Sequence, residues 1–189
     1  MNLEPLREFL SEDNILAHLD WCREKRMKYS IYEKSIPEIK GKTLKEITRQ
    51  GMCAEILSEV LPLICDIKSH ELYFNSFCTL KSPCNELKEY YSSEAAFIYE
   101  LAEYCKACDH GFVYVYKSEG RPPLITKDMK PAIGRRAISP CLALDVCEHA
   151  YFLDYGFKKS AYINAMLERL DTSKIFSDDN CKIYLDTPI

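Results

Sequence analysis

Five consecutive residues, Phe112-Val113-Tyr114-Val115-Tyr116, set the terms of this fold. All are aromatic or β-branched, the signature of a strand, and the segments on either side read with helical spacing. A chain of this kind must join helices to a small sheet. Ser118-Glu119-Gly120 reads as a turn, Leu124-Ile125-Thr126 as a second strand, and Cys141-Leu142-Ala143-Leu144 as a third that ends at Asp145. Glu148 to Tyr155 and Ser160 to Leu170 return to helix, with Gly156 between them.

Ahead of the sheet, Ser11 followed by Glu12 and Asp13 reads as a helix start, a side-chain cap with acids facing the dipole. Ile15, Leu16, Leu19 and Cys22 then form an apolar stripe. Ser35 to Lys42, with Pro37 and Gly41, reads as a loop. A second helical pattern runs from Thr43 toward Cys78, with Gly51 and Pro62 as breaks or kinks. Lys81-Ser82-Pro83 marks a joint, and Asn85 to Tyr91 and Ser93 to Cys108 read as two further helices. The expected class is α+β: an antiparallel helical hairpin over residues 1–82, then an α/β domain over 83–189 with a small three-stranded antiparallel sheet.

Charge and composition exclude several functions. The net charge of −4 gives no global reason to bind nucleic acid or an anionic membrane. No apolar run approaches the roughly 20 residues of a membrane span. The opening MNLEPLREFLSED has no apolar signal core, and ten scattered cysteines without an export signal suggest reduced thiols. The expected compartment is the cytoplasm. Cys105 and Cys108 form a lone CxxC near a helix end, which reads as two small apolar residues rather than a zinc site.

The chain has four histidines. Asp145 sits where a strand gives way to a helix, and His149 follows four residues later, so carboxylate and imidazole can converge. His18 and His70 lie one on each arm of the hairpin, where antiparallel packing can bring them opposite each other. Oxygen and nitrogen donors suit a divalent or trivalent transition metal. His110 has no such company and reads as an ordinary hydrogen-bonded imidazole.

Leu144-Asp145-Val146-Cys147-Glu148-His149-Ala150-Tyr151, with Tyr162-Ile163-Asn164-Ala165 after it, resembles the D-x-W-E-H-A-Y signature of iron/manganese superoxide dismutases. Ser69-His70-Glu71-Leu72-Tyr73-Phe74 resembles that family's N-H-S-x-F-W segment, Ser11 to His18 its first helix, and Gly111-Phe112-Val113-Tyr114 its G-W-x-W strand. The resemblance implies one iron or manganese ion held by His18, His70, Asp145 and His149, with superoxide as substrate. It also implies a homodimer in which Glu148 hydrogen-bonds the partner subunit's ligand histidine.

The same resemblance locates departures around the metal. Arg26 stands where the family has a tyrosine, Cys22 where it has a histidine, Phe152 where a tyrosine bonds that histidine across the dimer, and Cys147 in place of the signature tryptophan. The family's glutamine on metal-bound solvent matches either Asp66 or the Lys127-Asp128 region. Arg26, Cys22 and Asp66 are therefore the catalytic candidates, and Glu148 and Cys147 the candidates for tuning the ligands. Two readings follow: a dismutase with altered surroundings, or a metal-binding redox enzyme or thiol-linked sensor with little dismutase activity, in which Cys22 and Cys147 react with peroxide. A third, a metal-free scaffold of the kind found among mitochondrial ribosome subunits, has no use for three histidines and an aspartate around one point.

Overall fold

Ser11 starts the first long helix through its side chain. Its backbone is extended, its hydroxyl accepts the Asn14 N–H at 3.2 Å, and Glu12 and Asp13 occupy the first turn of α1, Glu12–Ser35. The computed structural model describes residues 2–50, 53–81, 83–118, 120–127 and 139–189. Thr43 and Glu46 form a reciprocal capping box that opens the short α2, Leu44–Arg49. The long helix α3, Ala54–Phe74, follows. The single pattern expected from Thr43 to Cys78 is thus two helices, one ending at Arg49 and the next beginning at Ala54; Gly51, an expected break, lies outside the described residues.

Pro62 lies inside α3 without ending it. The lost hydrogen bond and ring clash cost about 3 kcal/mol. Val60, Ile64 and Ile67 are buried on the same helix, and each contributes roughly 1.5–3 kcal/mol of transfer free energy, so burial wins. α1 and α3 run antiparallel: His18 meets His70 near one end, and Lys25 pairs with Asp66 at 3.0 Å further along.

The second half opens with a 3-10 turn at Glu86–Glu89, where the sequence suggested a longer helix over 85–91. Ser93 then caps α4, Glu94–Lys106. The sheet consists of β1 (Phe112–Tyr116), β2 (Leu124–Thr126) and β3 (Pro140–Asp145) in the antiparallel order β2-β1-β3. Every residue of β1 and β3 is buried, and Phe112 pairs with Asp145, which fixes the site's carboxylate at the sheet's end.

The helix expected over 148–155 is instead a 3-10 turn at Glu148–Ala150 followed by one turn of α5, Phe152–Tyr155. One distant side chain meets it at the break: Asn14 Nδ2 donates to the Ala150 carbonyl at 2.6 Å, an acceptor that a continuous helix would use, while Asp145 Oδ1 accepts the Cys147 N–H at 2.9 Å just ahead of the turn. Gly156 ends α5 at φ +52, a conformation that strains any residue with a Cβ. The chain continues through α6, Lys159–Glu168, which packs on α4, to α7, Asp178–Asp186. Sequence patterning did not reveal α7. It packs on α2, α3 and β3, and the core is one continuous cluster that spans both halves of the chain.

Candidate metal centre

Four elements deliver one side chain each to a common point. His18 comes from the second turn of α1, His70 from the last turns of α3, Asp145 from the end of β3, and His149 from the 3-10 turn that follows. One ligand atom from each lies within 4.8 Å of all the others. Asp145 Oδ2 is 2.9 Å from His149 Nε2, 3.2 Å from His18 Nε2 and 3.4 Å from His70 Nε2, and the last two imidazole nitrogens of the set, on His70 and His149, are 3.2 Å apart. His18, His70 and Asp145 are buried, and His149 keeps 20 % of its side chain exposed.

The surroundings leave these atoms facing inward. His70 Nδ1 donates to the Asp66 carbonyl at 2.8 Å; that acceptor fixes the tautomer and turns the Nε2 lone pair to the centre. Asp145 Oδ1 is taken by the Cys147 N–H, and the Asp145 carbonyl accepts from Tyr162, whose hydroxyl also meets Tyr73 at 3.0 Å. Among the described residues, His18 Nε2 and Asp145 Oδ2 are buried without a hydrogen-bond partner of good geometry. Such atoms cost about 1–3 kcal/mol each when left unpaired. Three imidazoles and one carboxylate, two of their four converging atoms orphaned, fit a transition-metal ion of intermediate hardness. Burial alone would raise the Asp145 carboxyl, but the His149 and His18 contacts outweigh it and hold the carboxyl well below its usual range. Burial lowers His18, so its neutral, metal-binding form is favoured.

The catalytic candidates occupy different places. Cys22 and Arg26 line a cavity of about 610 Å³, together with Arg23, Glu71, Thr187 and Pro188, and His70 forms part of its wall. Arg26 is held by Glu71 in an ion pair. Burial pushes the Cys22 thiol up to about 12, with the Asp145 and Asp66 charges adding to the effect. Asp66 lies on the Nδ1 side of His70, its carboxylate 3.6 Å from that nitrogen and 3.0 Å from Lys25, away from the converging Nε2 atoms. Cys147 accepts the Gly111 N–H at 2.8 Å, and burial pushes its thiol to about 12. Glu148 is exposed, and Phe152 is 43 % exposed. Lys127 donates to the Ala107 carbonyl, and Asp128 lies outside the described residues.

Cys105 and Cys108 are buried, with thiols raised by burial, and belong to no cluster of metal-binding groups among the described residues. His110 is exposed. Sequence reasoning missed Trp21, which stacks on His149 and carries Lys25 at 4.9 Å from its ring. Its place three residues past His18, on the same helix face, was the available signal. It also missed Lys68, whose buried ammonium no helical pattern announces.

Residues 81–177, just over half of the chain, match the model for iron/manganese superoxide dismutases, C-terminal domain. The match contains Asp145 and His149 but not His18 or His70, which join the centre through geometry alone. A search of curated proteins found no match.

Proposed function

Since the chain belongs to the iron/manganese superoxide dismutase family, we propose that it binds one iron or manganese ion through His18, His70, Asp145 and His149 and dismutates superoxide there. The observation that carries this reading is the convergence of three imidazole nitrogens on Asp145 Oδ2, two of the four atoms being buried and otherwise unpaired.

When bound, the metal supplies a one-electron couple, so that one superoxide leaves as oxygen and the next, with two protons, as hydrogen peroxide. The protein's part is orientation, access and proton supply. The Asp66 carbonyl aims His70, the Cys147 N–H aims Asp145, and Trp21 lies against the outer face of His149. The anionic carboxylate favours the higher charge state of the metal. The cavity beside His70 gives a route inward, and Arg26 at its edge attracts an anion. Neither side chain at that edge is a good proton donor. A guanidinium stays protonated at working pH, and the Cys22 thiol is pushed to about 12.

The high thiol values of Cys22 and Cys147 also count against the thiol-linked sensor, because the thiolate is the reactive form. A homodimer is part of the proposal. Exposed Phe152, Leu153 and Phe157 form an apolar surface beside exposed Glu148, and the Phe152 and Phe157 rings meet at 5.4 Å. Elemental analysis with a superoxide assay on the same preparation tests the reading. It predicts close to one equivalent of metal and measurable dismutation; full metal with no dismutation would leave the site and remove the activity.

A further inference from the structure

Lys68 has no exposed side-chain surface, and its ammonium makes three hydrogen bonds. They run to Glu71 Oε2 at 2.9 Å, Thr187 Oγ1 at 2.7 Å and the Pro188 carbonyl at 2.8 Å, so all three of its protons are used. Glu71 Oε1, the other oxygen of the same carboxylate, receives Arg26. Glu71, Arg26, Thr187 and Pro188 all line the cavity that His70 and Cys22 also line. A backbone bridge from Thr43 to Pro188 and a 2.8 Å ion pair from Lys45 to Asp186 hold the same segment from its outer side.

From this geometry we infer that Lys68 is a positioning residue for the access cavity. Its ammonium fixes the Thr187–Pro188 segment as one wall and, through Glu71, the Arg26 guanidinium at the mouth. The inference rests on the reading that this cavity leads to the metal centre. Two cations share one carboxylate here, so the trio keeps a net positive charge that attracts a small anion. The ion pair to Glu71 also keeps Arg26 from swinging free into solvent. A buried ammonium is costly unless every proton is paired, and its three partners here are the parts that shape the cavity.

The test uses Lys68→Met, which keeps length and volume, and Glu71→Gln, which keeps shape but removes the charge. Alkylation of Cys22 by N-ethylmaleimide, read by peptide mapping, reports opening of the cavity without any need for metal or turnover. In Lys68→Met the rate should rise at least about tenfold, since two charge-assisted bonds to the wall are lost. Hydrogen exchange should also accelerate over residues 183–188. In Glu71→Gln, Cys22 should label faster while exchange over 183–188 stays as in the parent, because Lys68 still holds Thr187 and Pro188. In turnover, Lys68→Met should lower kcat/KM for superoxide roughly threefold with kcat unchanged, since only anion capture is affected.

Unchanged Cys22 labelling in folded Lys68→Met would overturn the inference. So would equal loosening of 183–188 in both variants. Should Lys68→Met fail to fold, unchanged labelling in Glu71→Gln is sufficient to reject it. Absence of metal or activity in the parent protein would instead remove the proposed function and leave the labelling result intact.

Discussion

Trp21 lies flat against His149, with ring centroids 4.7 Å apart and planes inclined by 16°. It is the only tryptophan in the chain, so its emission comes from one place next to one proposed metal ligand. Adding iron(II) or manganese(II) to metal-free protein should change that emission, with a break at one equivalent. Trp21→Phe should weaken metal binding by no more than about tenfold, as a stacked pair is worth about 0.5–1.5 kcal/mol. A titration with no spectral change would remove Trp21 from the metal's surroundings.

Metal removal should lower stability. At free metal a hundredfold above Kd, binding contributes about 2.7 kcal/mol, which in a domain of this size is roughly 5–10 °C in Tm. His70→Ala should show no such metal-dependent shift in differential scanning calorimetry. A full shift in that variant would place the metal elsewhere.

Two half-buried thiols predict a direction for alkaline pH. Burial raises Cys22 and Cys147 from 9.0 to about 12 in the folded chain. Because their folded values exceed the unfolded ones, their contribution to stability is complete below pH 9 and is lost as pH rises toward 12. Urea midpoints should fall over that window, and Cys22→Ser with Cys147→Ser should flatten the fall. In the parent protein at pH 8, maleimide should label exposed Cys53 well before either of these half-buried, high-pKa thiols. Early labelling of Cys22 would revive the sensor reading.

Phe157 is 96 % exposed and packs against the Phe152 ring. If this surface meets a second copy of the chain, Phe157→Asp should shift sedimentation from dimer to monomer at micromolar concentration, and Glu148→Ala should weaken the dimer. A monomeric parent protein would contradict the assembly.

Dismutation should be slow and limited by protons. General acid–base groups contribute about 10²–10⁴-fold to such steps, and here Arg26 and Cys22 replace the groups that the family resemblance leads one to expect. Pulse radiolysis should show a solvent isotope effect and early saturation. Arg26→Tyr alone should not restore the rate, while Arg26→Tyr with Cys22→His should raise it. A diffusion-limited rate in the parent protein would mean that other residues supply the protons.

Local chemistry made much of this legible in the sequence. Ser11 caps the helix it was expected to cap, and β1 follows from an aromatic and β-branched run, β3 from an apolar run that ends at Asp145, every residue of both being buried. The Asp145–His149 spacing carries its own geometry. Elements decided by distant contacts stayed hidden. The break after Ala150 depends on Asn14, which lies 136 residues away in the chain. The helix α7 owes its place to packing on α2, α3 and β3 rather than to a strong periodic stripe. Asp66 was one of two places matched to the family's glutamine, and its carboxylate lies by His70 Nδ1 rather than by the converging Nε2 atoms, a matter of helix rotation that spacing alone does not fix.

The most direct test of the central claim is anomalous diffraction from crystals of the purified protein, collected on both sides of the iron and manganese edges. The account predicts one peak per chain, at the iron or the manganese edge, within bonding distance of His18 Nε2, His70 Nε2, His149 Nε2 and Asp145 Oδ2. Crystals of protein grown with both metals available that show no peak among those four atoms, or show their only peak elsewhere, would contradict it.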